Sequence, residues 1–182
     1  MDWGTLVATV SGGTLAVSGT VLADYLRNRR EDGRGVGARR REVYIDFISA
    51  AGVCHSGLRE LAQSGRGGTE RRAAARAALS DAGLYEARER LFIDATAAVA
   101  AAGQEMFEHL RALQRAVAEG ASLTSAAFHD VYHPYIGAVW AYRVAVREEL
   151  EGRSLSPRAF GWDGWDGSDR CSVCRDEGAP TA

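Results

Sequence analysis

The fold class of this 182-residue chain is decided by residues 96–120, T-A-A-V-A-A-A-G-Q-E-M-F-E-H-L-R-A-L-Q-R-A-V-A-E-G. Five larger apolar residues and one glycine recur there at spacings of three and four, which is the repeat of one helix face. That face consists of Val99, Gly103, Met106, Leu110, Leu113 and Val117. Asp94 or Thr96 is a candidate N-cap, and Gly120 suits the C-terminal stop. The stretch predicts a helix with one buried face.

The same spacing continues toward the N-terminus. A helix is predicted to begin near Ala38 and to end in S-G-R-G-G, residues 64–68. Its apolar face consists of Val43, Phe47, Ala50, Cys54, Leu58 and Leu61. A second helix follows, capped at Thr69 and weakened in its middle by Gly83. The apolar candidates of this second helix are Ala73, Ala77, Leu84, Leu91 and Phe92.

The pattern also continues toward the C-terminus. A last helix is predicted from Ser122 or Thr124 to about Glu151, and Pro134 should kink or divide it near Tyr132. Its apolar face consists of Phe128, Val131, Tyr135, Val139, Tyr142 and Val146, widened by Tyr132 and Trp140.

Four helices with short connections predict an all-α fold, an antiparallel four-helix bundle over residues 38–152. A helical hairpin or coiled-coil body is the alternative. Ala is the commonest residue, all 22 basic residues are Arg, and only three prolines occur. Because an Ala-rich core buries little area per residue, we expect a homodimer or a partner helix to stabilise the bundle.

The first 26 residues predict a single transmembrane helix. Trp3 to Ala23 carries no charge, and its 21 residues would rise about 31 Å as a helix, close to the hydrocarbon thickness of a bilayer. A buried N-terminal helix is one alternative. A secretory signal is another, disfavoured because Asp2 stands where a basic region is expected.

A basic linker of Gly and Arg, residues 27–37, follows the predicted span. Seven Arg lie between Arg27 and Arg41, so the positive-inside rule puts the N-terminus outside and the bundle in the cytoplasm. The predicted location is the inner, plasma membrane. Arg27, Arg29 and Arg30 are the candidates for contact with anionic lipid headgroups.

Small residues recur every four positions in the predicted span. They form one stripe, Gly4, Ala8, Gly12, Ala16 and Thr20. Because such stripes let two membrane helices approach closely, they suggest self-association in the membrane.

Three stretches of the chain carry a family resemblance. They are L-A-D-Y-L-R-N-R-R (22–30), R-R-R-E-V-Y-I-D-F (39–47) and L-Y-E-A-R-E-R-L-F-I-D-A-T-A-A-V (84–99). The layout over residues 4–152 resembles small uncharacterised actinobacterial proteins that join one transmembrane helix to an Ala/Arg-rich bundle. The resemblance implies this topology and no catalytic residues, since that family has no established activity.

Four residues are candidate metal ligands. His129 and His133, in H-D-V-Y-H, stand at i and i+4 and could ligate zinc, although Asp130 replaces the Glu of the metalloprotease signature H-E-x-x-H. Cys171 and Cys174 form a lone C-x-x-C that could be half a zinc site, completed by a second chain or by His residues, or a redox pair. No other cofactor is expected.

Residues 153–182 predict a disordered tail, because they have no helical period and are rich in glycine, proline and acids. Trp162 and Trp165 repeat W-D-G within it. They could dock on a partner or fold back onto the bundle. Cys54, beside His55, lies on a predicted apolar face, which favours a core cysteine over a nucleophile.

The sequence predicts a non-enzymatic, membrane-anchored cytoplasmic scaffold or protein-interaction module. A net charge of -2 gives no general attraction for nucleic acid. A soluble oligomeric interaction protein is one alternative. A zinc-binding helical protein, or an enzyme that uses His129 and His133, is the other.

Overall fold

The computed structural model describes residues 35–177, with side chains up to residue 174. No strand occurs within these residues, so the all-α prediction is confirmed. The bundle helices are α1 (35–63 of the described chain), α2 (Gly68–Asp81), α3 (Leu84–Asp94), α4 (Ala97–Glu119) and α5 (Ala126–Glu151). Two 3-10 turns and a short helix follow, at Pro157–Phe160, Ser168–Arg170 and α6, Ser172–Glu177.

The chain divides into two units, Met1–Arg39 and Arg40–Ala182. Within the first unit the structure describes only residues 35–39, which are helical. The sequence predicts a loose linker through residue 37. Gly35 and Gly37 are helical instead, since a glycine weakens a helix by only about 1 kcal/mol relative to alanine.

The N-terminal predictions fall outside the described residues. These are the membrane span (1–26), its stripe of Gly4, Ala8, Gly12 and Ala16, and the headgroup candidates Arg27, Arg29 and Arg30. Among the helices of residues 35–177, none combines the length and the apolar character needed to cross a bilayer.

Contacts along α1 show that α2 and α3 together run antiparallel to it. Asp46, early in α1, faces Arg90 of α3, with 3.4 Å between Oδ2 and Nη1. Near the end of α1, the carbonyl of Ser64 accepts a hydrogen bond of 3.0 Å from Arg71 of α2. Residues near the start of α1 therefore lie beside α3, and residues near its end lie beside the start of α2, as expected for antiparallel helices.

Helix α5 is antiparallel to α1 as well. The Tyr142 hydroxyl donates to the carbonyl of Tyr44 over 3.1 Å, and the Tyr135 hydroxyl donates to that of Ala51 over 3.4 Å. Helix α4 packs against α2, α3 and α5. The described residues therefore form a helical bundle, as the sequence predicts.

The predicted face of α4 is confirmed, because all six of its residues are buried. Gly103 belongs to this face for a steric reason. A Cβ at that position would lie 2.3 Å from Cδ2 of Leu91 and 3.2 Å from Cε1 of Phe47. Helix α4 thus approaches its neighbours too closely there for a side chain.

The second predicted helix is two helices. Gly83 has a φ of +62°, a left-handed conformation that favours glycine, and it separates α2 from α3. The buried positions of α2 are Ala75 and Leu79, whereas the predicted Ala73 is exposed and Phe92 of α3 is 39% exposed. A single helical period drawn through both helices could not predict these buried positions, because the turn at Gly83 changes which positions of the next helix point toward the core.

The last helix begins later than predicted. Ser125, not Ser122 or Thr124, is its N-cap, and the Ser125 hydroxyl accepts the Phe128 amide over 3.3 Å. Helix α5 also runs undivided through Pro134. The proline removes the amide that would pair with the carbonyl of Asp130, an exposed residue that water can reach.

Residues 153–174, the C-terminal segment, are predicted as part of a disordered tail, but the structure gives them turns, a helix and contacts with α5. Trp165 stacks on Trp140 with ring centroids 4.3 Å apart. A Cβ at Gly137 would lie 3.7 Å from that of Asp166. The segment therefore returns along α5 toward the start of that helix. Composition did not predict this ordered path, because the segment is held by a few side-chain contacts that leave no periodic pattern in the sequence.

Candidate metal centre

Two histidines stand on the outward face of α5. His129 and His133 are one turn apart, and Nδ1 of His129 lies 3.5 Å from Nε2 of His133. At 100° per residue, His133 lies about 160° around the helix from the core residue Tyr135. It is nevertheless only 8% exposed, since the C-terminal segment covers it.

The second nitrogen of each ring bonds a backbone carbonyl. Nε2 of His129 donates to the carbonyl of Leu123 over 2.8 Å, and Nδ1 of His133 donates to that of Asp166 over 2.9 Å. Because a carbonyl can only accept, these nitrogens carry the protons. The opposite nitrogens, which face each other, keep their lone pairs for a ligand.

Two cysteines of the C-terminal segment complete the cluster. Sγ of Cys171 lies 3.3 Å from Nδ1 of His129, and Sγ of Cys174 lies 3.3 Å from Nε2 of His133. All four donor atoms lie within 4.8 Å of one another. The four predicted ligands, treated as two separate motifs in the sequence, thus meet at one point.

These distances suit a tetrahedral metal ion. Zinc binds nitrogen at about 2.0–2.1 Å and sulfur at about 2.3 Å, which places neighbouring donors of a tetrahedron about 3.3–3.8 Å apart. The observed separations of 3.3, 3.3 and 3.5 Å fall in this range. Two imidazoles with two thiolates are a common donor set for zinc.

The backbone around Cys171 favours its thiolate form. The pKa of the Cys171 thiol falls from 9.0 to about 6, chiefly through the hydrogen bond from the backbone amide of Cys174. Burial is the second-largest effect and raises the pKa, whereas smaller effects of the His133 and Cys174 side chains and of the Val173 amide lower it. Since the thiolate is the metal-binding form, this environment supports ligation.

An aromatic cluster lies beside the centre. Trp140 of α5 contacts Phe160, Trp162 and Trp165, with ring centroids 5.5, 5.5 and 4.3 Å away. The guanidinium of Arg143 lies 4.5 Å from the centroid of Trp140. The proposed docking residues Trp162 and Trp165 therefore contact the chain's own bundle, which is the second of the two predicted roles.

The third cysteine lies elsewhere. Cys54 of α1 is 1% exposed, and burial raises its pKa to about 12, so the prediction of a core cysteine is confirmed. Its neighbour His55 packs against Tyr132 and Tyr135, and burial lowers the pKa of His55 to about 4. The Cys54 thiol therefore stays protonated at neutral pH, and His55 is too weak a base to activate it.

The carbonyls of Leu123 and Asp166 are the parts of the centre that the sequence did not reveal. A backbone carbonyl carries no residue-specific signal, and any residue could supply it. Their role follows only from the loop before α5 and from the return of the C-terminal segment.

No family model matches this chain, and the comparisons with curated proteins and with solved structures found no match. The resemblance to small actinobacterial membrane-anchored proteins stays a prediction.

Proposed function

We propose that this chain is a zinc-binding helical protein in which one ion joins α5 to the C-terminal segment. The observation that carries the proposal is the convergence of four donor atoms within 4.8 Å. The orientation of both histidine rings by carbonyls supports it, because ligating histidines usually have such a partner on their other nitrogen.

A structural role fits this donor set better than a catalytic one. Four protein ligands close the tetrahedron, whereas catalytic zinc keeps one position for water or substrate. His129, His133, Cys171 and Cys174 would fill all four positions. The likeness of H-D-V-Y-H to a metalloprotease signature therefore supports metal binding by its two histidines and does not support peptide hydrolysis. We propose that the protein is not an enzyme.

The ion would be the dominant attachment of the C-terminal segment. A structural zinc contributes about 10–16 kcal/mol in small zinc-binding peptides. One aromatic pair contributes about 0.5–1.5 kcal/mol beyond its buried area. The stacking of Trp165 on Trp140 would thus assist an attachment that the metal provides.

Metal analysis of the purified full chain tests the proposal. We expect equimolar zinc, and a Co²⁺-substituted protein with the intense visible absorption of a tetrahedral thiolate site. The double variant Cys171→Ser/Cys174→Ser should lose both signals, because it removes both sulfur donors.

The chain offers matched controls for both ligand types. Cys54→Ala and His109→Gln change a cysteine and a histidine outside the cluster and should keep equimolar zinc. Metal-free wild-type protein, or zinc retained by the double cysteine variant, would contradict the proposal.

A membrane-anchored cytoplasmic scaffold remains a second candidate, favoured by the uncharged Trp3–Ala23 segment and the arginines that follow it. It is compatible with a zinc centre in the bundle. We expect a C-terminally tagged chain to pellet after alkaline carbonate washing and to resist protease in intact spheroplasts. Release into the carbonate supernatant would exclude the anchor.

A further inference from the structure

We infer that oxidation of Cys171 and Cys174 to a disulfide by a peroxide expels the metal and releases the C-terminal segment from α5. The inference rests on the metal centre proposed above. It adds that oxidation controls whether the centre holds its metal. It also adds that loss of the metal exposes the face of α5 that the C-terminal segment covers.

The thiols are placed for this reaction. Cys171 and Cys174 are separated by two residues, are half-buried, and contribute sulfur atoms to one cluster that spans 4.8 Å. A disulfide needs its sulfurs at about 2.05 Å, which a small movement within this cluster can provide. Cys54 is buried in α1 and is not one of the four clustered residues.

The chemistry balances with hydrogen peroxide as the oxidant. One thiolate attacks a peroxide oxygen, so that an S–O bond forms, the O–O bond breaks and hydroxide leaves. The second thiolate attacks the resulting sulfenic acid, so that the S–S bond forms and a second hydroxide leaves. Two protons convert the hydroxides to water, and the two electrons come from the two sulfurs. Zinc departs because two of its four donors have lost their charge.

The C-terminal segment depends on this centre because it has little core of its own. Its two 3-10 turns contain no buried residue in the described structure. Without the metal, its contacts with α5 would include the Trp165–Trp140 stack and the His133–Asp166 hydrogen bond. Release would expose a stripe on α5 formed by His129, His133, Gly137 and Trp140.

The test uses the full chain with Cys54→Ala, so that the cluster holds its remaining cysteines. The protein is loaded with zinc, treated with hydrogen peroxide, and followed by thiol titration, by zinc release to a chromogenic chelator and by trypsin. We expect loss of two thiols per zinc released, and tryptic cleavage after Arg158 and Arg170 that becomes about tenfold faster or more. Dithiothreitol with zinc should restore protection.

The double variant Cys171→Ser/Cys174→Ser is the control. It should be cleaved at the oxidised rate from the start and should not respond to peroxide. Zinc release without faster cleavage, or cleavage that peroxide accelerates equally in the double variant, would overturn the inference and leave the metal centre standing. Failure of the Cys54→Ala protein to bind zinc before oxidation would instead refute the metal centre and, with it, this inference.

Discussion

The other bundle helices and the C-terminal segment contact α5 through different kinds of interaction. The bundle, residues 40–151, packs α5 against α1 and α4 through a core of buried apolar side chains. The C-terminal segment lies on the opposite face of α5 and reaches it through an aromatic cluster and four candidate metal ligands. One face of α5 is thus held by many apolar contacts spread along the helix. The opposite face is held by a few contacts at one place.

This difference predicts how each region responds to change. Apolar burial is spread over many residues, so single substitutions weaken the bundle in proportion to the volume they remove. A localised attachment fails when one of its few elements is lost. The two regions should therefore be separable by experiment, with bundle stability and segment protection measured on the same variants.

The largest expected effect comes from the core of α4. Leu110 is fully buried, so Leu110→Ala should lower the free energy of unfolding by about 2–5 kcal/mol in urea titrations. Zinc content should stay equimolar below the unfolding transition. Loss of zinc in the folded variant would show that the two attachments are coupled.

Next comes Gly103, where helices meet most closely. Gly103→Ala should destabilise the bundle by about 1–3 kcal/mol through overpacking against Leu91, despite the better helix propensity of alanine. Gly52→Ala is the matched control in α1. Nothing lies within 4 Å of its added Cβ, so it should stabilise by about 1 kcal/mol. Equal stability changes in the two variants would contradict the close approach of α4 to Leu91.

An effect that is smaller per pH unit should appear on acidification. Burial lowers the pKa of His55 from 6.5 to about 4, with a further contribution from the charge of Arg59. A lowered histidine pKa stabilises the fold above about pH 6.5, and this stability is lost as the pH falls toward 4. We expect stability to decline by up to about 1.4 kcal/mol per pH unit in that window. His55→Phe should flatten the slope.

That pH experiment needs a metal-free background, because acid would also release zinc. The Cys171→Ser/Cys174→Ser variant provides it. The groups that face His55 are Arg59 on α1 and Tyr132, Tyr135 and Arg143 on α5. An unchanged slope in His55→Phe would show that another group titrates.

The smallest effect on the bundle is expected from the aromatic cluster. Trp165→Ala removes the stack on Trp140, and it should shift the urea midpoint by less than the equivalent of about 0.5 kcal/mol. Segment cleavage by trypsin should nevertheless rise several-fold, most clearly without zinc. Phe160→Ala, at a half-exposed position, is the milder control. A large loss of bundle stability in Trp165→Ala would contradict the separation of the two faces.

Local patterns predicted the face of the long helix α4 better than they predicted helix ends. All six predicted residues of the α4 face are buried, because the apolar period and the burial agree along this helix, although Phe107 and Gln114 are buried as well. Thr96 occupies its predicted N-cap position, but its hydroxyl bonds Glu149 of α5 and not a helix amide. Glu149 also accepts from Tyr44 and Arg40. These partners lie 53 or more residues from Glu149 along the chain, so no local pattern could indicate them.

The sequence by itself determined the all-α class, the predicted face of α4, most of the buried faces of α1 and α5, and the identity of the four candidate ligands. These follow from periodicity and donor chemistry, which are local properties of the chain. Only the tertiary structure decided that H-x-x-x-H and C-x-x-C belong to one centre. They lie about 40 residues apart, and their meeting depends on the antiparallel return of the C-terminal segment along α5. A few aromatic contacts and backbone carbonyls set that path, and neither leaves a periodic trace in a sequence.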